Sequence, residues 1–325
     1  MCIFNMLNTF RIMKKTTSII IIIIVSALRL FAQYPLFSQT SLGNINLNPA
    51  LAGNDSCARF GVNYRNQWPN ISENYVTMSA NFYQYIPKLN AYAGINYLND
   101  NQVRGILKTN IFSVFYSQNI NIKNVLIRPS IEVCYGEKTM DFSKLSFGST
   151  INYYPASMPK WAPNYNQSIL KIHYLDLNIG SIVYYKNFLL GLSTHHITQP
   201  DEGLFGPSKL QRRYGVQFGY TLRLNKISIS PFMYYKQQQN FLQITEGVSI
   251  LFFKHINIAL SYRNNDAVIL NFGYQNKLIA INYSYDVTVS RLSGNTAGSH
   301  EVGLAFKFWR VKTKKRFIGV NSIFS

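Results

Sequence analysis

Apolar and polar residues alternate one by one along most of this chain. Val268, Leu270, Phe272 and Tyr274 share one side of a run whose other side holds Asn271 and Gly273. Ile279, Ile281, Tyr283 and Tyr285 oppose Ala280, Asn282 and Ser284, and Tyr214, Val216, Phe218 and Tyr220 oppose Gly215, Gln217 and Gly219. Near the end, Val302, Leu304, Phe306 and Phe308 oppose Glu301, Gly303, Ala305 and Lys307. A period of two belongs to a β-strand, not to a helix. One face is apolar and aromatic while the other is small or polar, as a wall between lipid and a lumen requires.

About fourteen such strands can be counted, starting near Arg59, Tyr75, Ala91, Ile111, Val125, His173, Phe188, Tyr214, Ile227, Phe241, Ile256, Val268, Leu278 and Glu301. A soluble sandwich would alternate too, so the connections must decide. One set is tight: Pro87-Lys88-Leu89, Asn121-Ile122-Lys123, Tyr185-Lys186-Asn187, Asn225-Lys226, Phe253-Lys254-His255 and Gln275-Asn276-Lys277. The other set includes the long segments Asn99–Gly105, Glu137–Leu170, Ile197–Gln211 and Val287–Ser299. Short turns on one rim and longer loops on the other is the layout of an outer-membrane barrel. The fold expected is therefore all-β: a transmembrane antiparallel β-barrel of about 14 strands (12–16), with short periplasmic turns and longer extracellular loops. Arg128 and Glu132 share parity with Ser130, opposite Ile127, Ile131 and Val133, so both are expected to point into the lumen and brace it.

Composition supports a barrel. Only 14% of the 325 residues are charged and 15% are aromatic, against roughly 25% charged in a typical soluble domain. Aromatic-rich, charge-poor chains are not disordered. Beyond the N-terminus no apolar run reaches the ~18 residues of a membrane helix.

At the N-terminus, Arg11, Lys14 and Lys15 precede an apolar run from Ile19 to Leu28, and Phe31-Ala32-Gln33 offers a cleavage point between Ala32 and Gln33. This is the order of a secretory signal peptide. A start at Met13 would give the more ordinary opening Met-Lys-Lys, and with Gln33 in place of a Cys a lipoprotein anchor is not expected. Removing residues 1–32, with four basic and no acidic residues, would leave 293 residues and lower the net charge from +19 to +15. The expected organisation is a signal peptide over 1–32, a periplasmic N-terminal segment or plug over 33–56, a barrel over 57–310 and a basic tail over 311–325. Both termini and Asn48–Gly53 are expected on the periplasmic side, and the protein in the outer membrane of a Gram-negative bacterium.

The charge is strongly basic, with its densest cluster at Lys307, Arg310, Lys312, Lys314, Lys315 and Arg316. That cluster reads either as a solvated tail or as a docking strip. A secreted chain without a basic reader helix is not expected to bind nucleic acid; lipopolysaccharide or an acidic partner is the better electrostatic match. Cys57 and Cys134 define no disulfide framework, although one bridge stays open.

Catalytic constellations are scarce. Neighbours along a strand face opposite sides, so His195 and His196 are not expected to chelate one metal. Ser193 and His195 share a face, an arrangement common by chance. No phosphate loop, HExxH or acid–base carboxylate pair occurs. No enzyme activity, cofactor or metal is expected.

Several segments carry more than composition: Gln33-Tyr34-Pro35-Leu36-Phe37-Ser38-Gln39, Asn48-Pro49-Ala50-Leu51-Ala52-Gly53, Tyr64-Arg65-Asn66-Gln67-Trp68-Pro69, Gly191 to Pro200 through Ser193-Thr194-His195-His196, and Tyr285-Asp286-Val287-Thr288-Val289-Ser290 closing with Gly298-Ser299-His300-Glu301. In this order and spacing the chain resembles the PorP/SprF family of type IX secretion outer-membrane proteins over essentially its whole mature length. The basic tail after Trp309 departs from it. The resemblance implies a non-enzymatic barrel serving export or surface attachment of proteins with type IX C-terminal domains, such as adhesins. It also implies links to periplasmic and peptidoglycan-associated secretion components. The expected partner surface lies at the extracellular strand ends: Arg65, Asn66, Gln67, Trp68, Pro69, His195, His196, Gln199, Pro200, His300 and Glu301, since Trp and Arg are common hot-spot residues. A competing reading puts Trp68 in the interfacial aromatic girdle and has Arg65 and the His pair fasten loops inside the barrel mouth. The alternative function is a porin-like or hydrophobic-solute diffusion channel, because about fourteen strands enclose a conducting lumen unless plugged.

Overall fold

The computed structural model describes residues 37–39, 45–53, 56–71, 74–144, 169–290 and 296–310. The signal segment with its Ala32–Gln33 junction, and the basic tail 311–325, lie outside the described residues.

Sixteen β segments follow one another in the chain: β1 (Ala58–Gln67), β2 (Tyr75–Ile86), β3 (Ala91–Gln102), β4 (Leu107–Gln118), β5 (Ile120–Ile122), β6 (Val125–Asp141), β7 (Ile169–Tyr185) and β8 (Phe188–His195), then β9 (Arg213–Tyr220), β10 (Leu222–Arg223), β11 (Ile227–Gln238), β12 (Phe241–Phe252), β13 (Ile256–Arg263), β14 (Ala267–Gln275), β15 (Ile279–Thr288) and β16 (Ser299–Phe308). All pairings are antiparallel between neighbours, and β1 pairs with both β2 and β16, so the sheet closes on itself. Closure leaves no unpaired edge. β5 continues β4 against β6, and β10 continues β9 against β11, in unbroken register. The wall is therefore a closed barrel of fourteen strands. Each break has a cause: by that register Gln118 faces Pro129 and Tyr220 faces Pro231, and proline has no N–H for the ladder.

The alternation sorts as expected. Leu175, Leu260, Phe272, Val133 and Leu192 are among the large apolar side chains exposed on the outer face, while Asn63, Ser79, Asn96, Ser113 and Gln217 are buried on the inner one. Arg128, Ser130 and Glu132 all turn inward and are buried. Strand starts fall close to the expected positions, but β3 extends to Gln102 and β6 and β7 each run for 17 residues, so the loops are shorter than the pattern indicated.

The inner face is not polar throughout. Toward the short-turn rim it carries Tyr83, Tyr85, Tyr92, Phe115, Tyr184, Ile182 and Leu189. These pack on Ile45, Ala50, Leu51 and Ala52, so the hydrophobic core of the molecule sits inside the barrel around its own N-terminal segment. Apolar side chains there bury against each other rather than against lumen water. Cys57 and Cys134 are both buried thiols, not bridged to one another.

Candidate functional site

Residues 37–39 and 45–53 lie inside the lumen, bonded to the inward side chains and carbonyls of ten strands. At the long-loop end Ser38 sits between the tops of β1, β13, β15 and β16. Its hydroxyl donates to Asp286 Oδ2 at 2.6 Å and accepts from Arg65 Nη1 at 2.7 Å and Arg263 Nη2 at 2.5 Å. One proton and two lone pairs are thus all used. The Glu301 carboxylate accepts the backbone N–H of Ser38 at 2.7 Å and of Gln39 at 3.2 Å. Arg65 pairs with Asp286 at 2.8 Å and Glu301 at 3.3 Å, and Arg263 with Asp286 at 3.2 Å and Asp266 at 3.0 Å. Such a buried cluster is held only because its charges oppose one another and are hydrogen-bonded.

Midway down, wall donors aim at backbone carbonyls of the segment. Arg213 Nη2 donates to Asn46 O at 3.0 Å, Ser193 Oγ to Leu47 O at 3.2 Å and His195 Nε2 to the same oxygen at 3.0 Å. Asn48 crosses to the wall: its Nδ2 donates to Gln217 Oε1 at 2.8 Å and Leu192 O at 3.1 Å, while its Oδ1 accepts from Ala50 N at 2.9 Å and caps the short turn Pro49–Leu51. A Cβ on Gly180 would stand 2.1 Å from Asn48 Oδ1, so the wall is glycine where the segment passes closest. Near the short-turn rim Ser117 Oγ donates to Pro49 O, and Arg128 donates to Ala50 O at 3.3 Å, Ala52 O at 3.0 Å and Asn119 Oδ1 at 2.7 Å. The Arg128 guanidinium also lies over the rings of Tyr92 and Tyr184 at 5.0 and 5.8 Å. Gly53 then turns with φ +79° against Tyr92 to feed β1. Asn48–Gly53, expected on the periplasmic side, thus lies within the lumen.

The expected partner residues divide. Arg65, His195, His196 and Glu301 are 3% exposed or less, turned inward and engaged with the lumen, so they present no outward surface. Asn66, Gln67, Trp68, Pro69, Gln199, Pro200 and His300 are half-buried at the long-loop rim. There the Trp68 ring meets Tyr75 edge-on at 5.8 Å, and the Trp68 N–H donates to Gly298 O.

The His pair corrects the strand rule applied to it. β8 ends at His195, and His196 takes φ 59°, so both rings turn inward with centroids 6.2 Å apart. His196 Nδ1 bonds Asp176 Oδ2 at 2.6 Å, while its N–H donates to Asn178 Oδ1. Burial holds the His196 imidazole below its ordinary range, against the pull of that carboxylate. Ser193 and His195 do share a face, and what they share is the Leu47 carbonyl. The wall–segment contacts of Asn48, Arg213, Gln217 and Arg263 carry no sequence signal, because each depends on which strands close around one irregular stretch.

A closed antiparallel barrel with an apolar exterior and its own chain through the lumen defines a transmembrane β-barrel, here of the outer membrane. Residues 30–306 match the family model described as type IX secretion system membrane protein PorP/SprF, and the chain belongs to that family. Comparison with curated proteins gives no match. Among solved structures the chain is similar to the outer membrane protein Omp33 of Acinetobacter baumannii (8% identity, TM-score 0.43, 78% of this chain and 98% of that one). It is also similar to a Pseudomonas aeruginosa FadL homologue (10%, 0.42, 83% and 94%) and the NalP translocator domain of Neisseria meningitidis (10%, 0.40, 81% and 92%).

Proposed function

We propose that this barrel is a non-enzymatic component of the type IX machinery, supporting export or surface attachment of proteins with type IX C-terminal domains, adhesins among them. It acts as an occluded scaffold rather than as a diffusion channel. The observation that carries the occlusion is the lumenal segment, whose described residues, Ser38 and Asn46 to Ala52 among them, are gripped by buried side chains of opposing walls. Fourteen strands with an empty interior would conduct; in this interior the described residues 37–39 and 45–53 are bonded to ten of the strands. On this reading the cargo-facing surface is formed by the half-buried rim residues Asn66, Trp68, Gln199, Pro200 and His300. Periplasmic and peptidoglycan-associated secretion components engage the opposite rim.

Deleting the gene and profiling exported proteins by C-terminal domain type tests the reading. Loss of the type IX class, restored by the full chain, supports it; unchanged export and surface display overturns it. Trp68→Ala with Gln199→Ala then tests the rim: normal barrel level with lost cargo display supports a contact surface, whereas lost barrel assigns these residues to folding.

A further inference from the structure

The short-turn rim carries a ring of charge that the fold does not require and that the secretion reading, which puts periplasmic components at this rim, does not explain. Six turns join strands there, and each holds one exposed lysine: Lys88, Lys123, Lys186, Lys226, Lys254 and Lys277. None of the six turns contains Asp or Glu, and the exposed Arg310 adds to the ring where β16 leaves the barrel. Turn chemistry does not demand this. The tight turns of the opposite rim, Gln239-Asn240 and Asn264-Asn265-Asp266, hold no lysine. Lys123, Lys186 and Lys254 moreover have φ of 51°, 52° and 64°. That is left-handed backbone which favours Gly or Asn, so lysine stands there against the local preference.

Exposed apolar surface accompanies the ring. Exposed apolar residues sit beside the lysines in the same turns, among them Leu89 (54%), Phe253 (59%) and Leu278 (64%). Lys186 Nζ lies 5.2 Å from the centre of the outward-facing Tyr185 ring, and Lys226 Nζ 6.0 Å from that of Phe253. Two of the ammonium groups are thus placed alongside exposed aromatic rings. Apolar side chain below and ammonium above matches acyl chain and phosphate. We propose that the short-turn rim is a binding belt for the headgroups of anionic phospholipids in the leaflet it meets. An acidic protein face would match the charge but not the placement of the ammonium groups beside membrane-facing rings.

Trp309, 70% exposed at this same rim, is a built-in reporter. The chain has three tryptophans, so Trp68→Phe with Trp161→Phe leaves Trp309 alone. The full chain is reconstituted in vesicles containing brominated phosphatidylglycerol or brominated phosphatidylcholine, and quenching gives their relative association. The belt predicts about a twofold or greater preference for phosphatidylglycerol, falling toward one in ~1 M NaCl. A chain keeping only Trp68, at the other rim, should show no preference, which is a comparison within the intact protein. Replacing all six lysines by Gln should bring the Trp309 ratio to about one while heat-modifiable gel mobility certifies the barrel. Equal quenching by both lipids in the parent, or a preference untouched by the six replacements, overturns the proposal. So does a rim that shows no lipid preference yet binds polyglutamate in detergent, which would assign it to an acidic polypeptide.

Discussion

Ser38 has a hydroxyl with one proton to give and two lone pairs to fill, and the barrel mouth uses all three through Asp286, Arg65 and Arg263. Removing different members of this cluster has different consequences. Arg65→Ala takes the guanidinium away from two buried carboxylates and is expected to cost about 3–5 kcal/mol. It should abolish the compact, heat-resistant gel band or lower its transition steeply. Ser38→Ala leaves every charge in place but strips one bond from each of three buried groups, an expected cost of about 1–3 kcal/mol. His195→Ala loses a single bond to Leu47 O, about 1 kcal/mol. The order Arg65, Ser38, His195, measured as the temperature at which the folded band disappears, separates a charge cluster from ordinary hydrogen bonding; three equal shifts would contradict it.

At the scale of elements, alternation was enough to find every wall strand, because a wall between lipid and lumen imposes its period on each of them. What alternation hid was anything depending on the segment inside. Residues 45–53 have no period: Asn46 meets β3 and β9, Leu47 meets β8, Asn48 meets β7, β8 and β9, and Pro49–Leu51 is one short turn. Tyr85, Tyr92 and Phe115 on the inner face look out of place in a water-filled lumen and make sense only once Ile45 and Ala52 are known to lie against them. The same holds for Arg65 and Glu301: their strand ends were legible, but their partner Ser38, 27 and 263 residues away, was not. Gly180 isolates the element. Gly180→Val keeps the β6–β7–β8 ladders but drives a side chain into the space of Asn48, so the segment should be expelled while the wall survives. Limited proteolysis of the detergent-solubilised protein should then cut within 37–53 in the variant and spare it in the parent.

For the whole molecule, a barrel with lipid outside and its own chain inside differs from a porin in one measurable respect: it should pass no steady current. Planar bilayers containing the full chain, or a chain lacking residues 37–53, measure this directly. An occluded barrel predicts a silent full chain and a large, stable open current once 37–53 are removed. A large steady current from the full chain, matched by that of the deletion, would contradict occlusion and return the diffusion channel as the function.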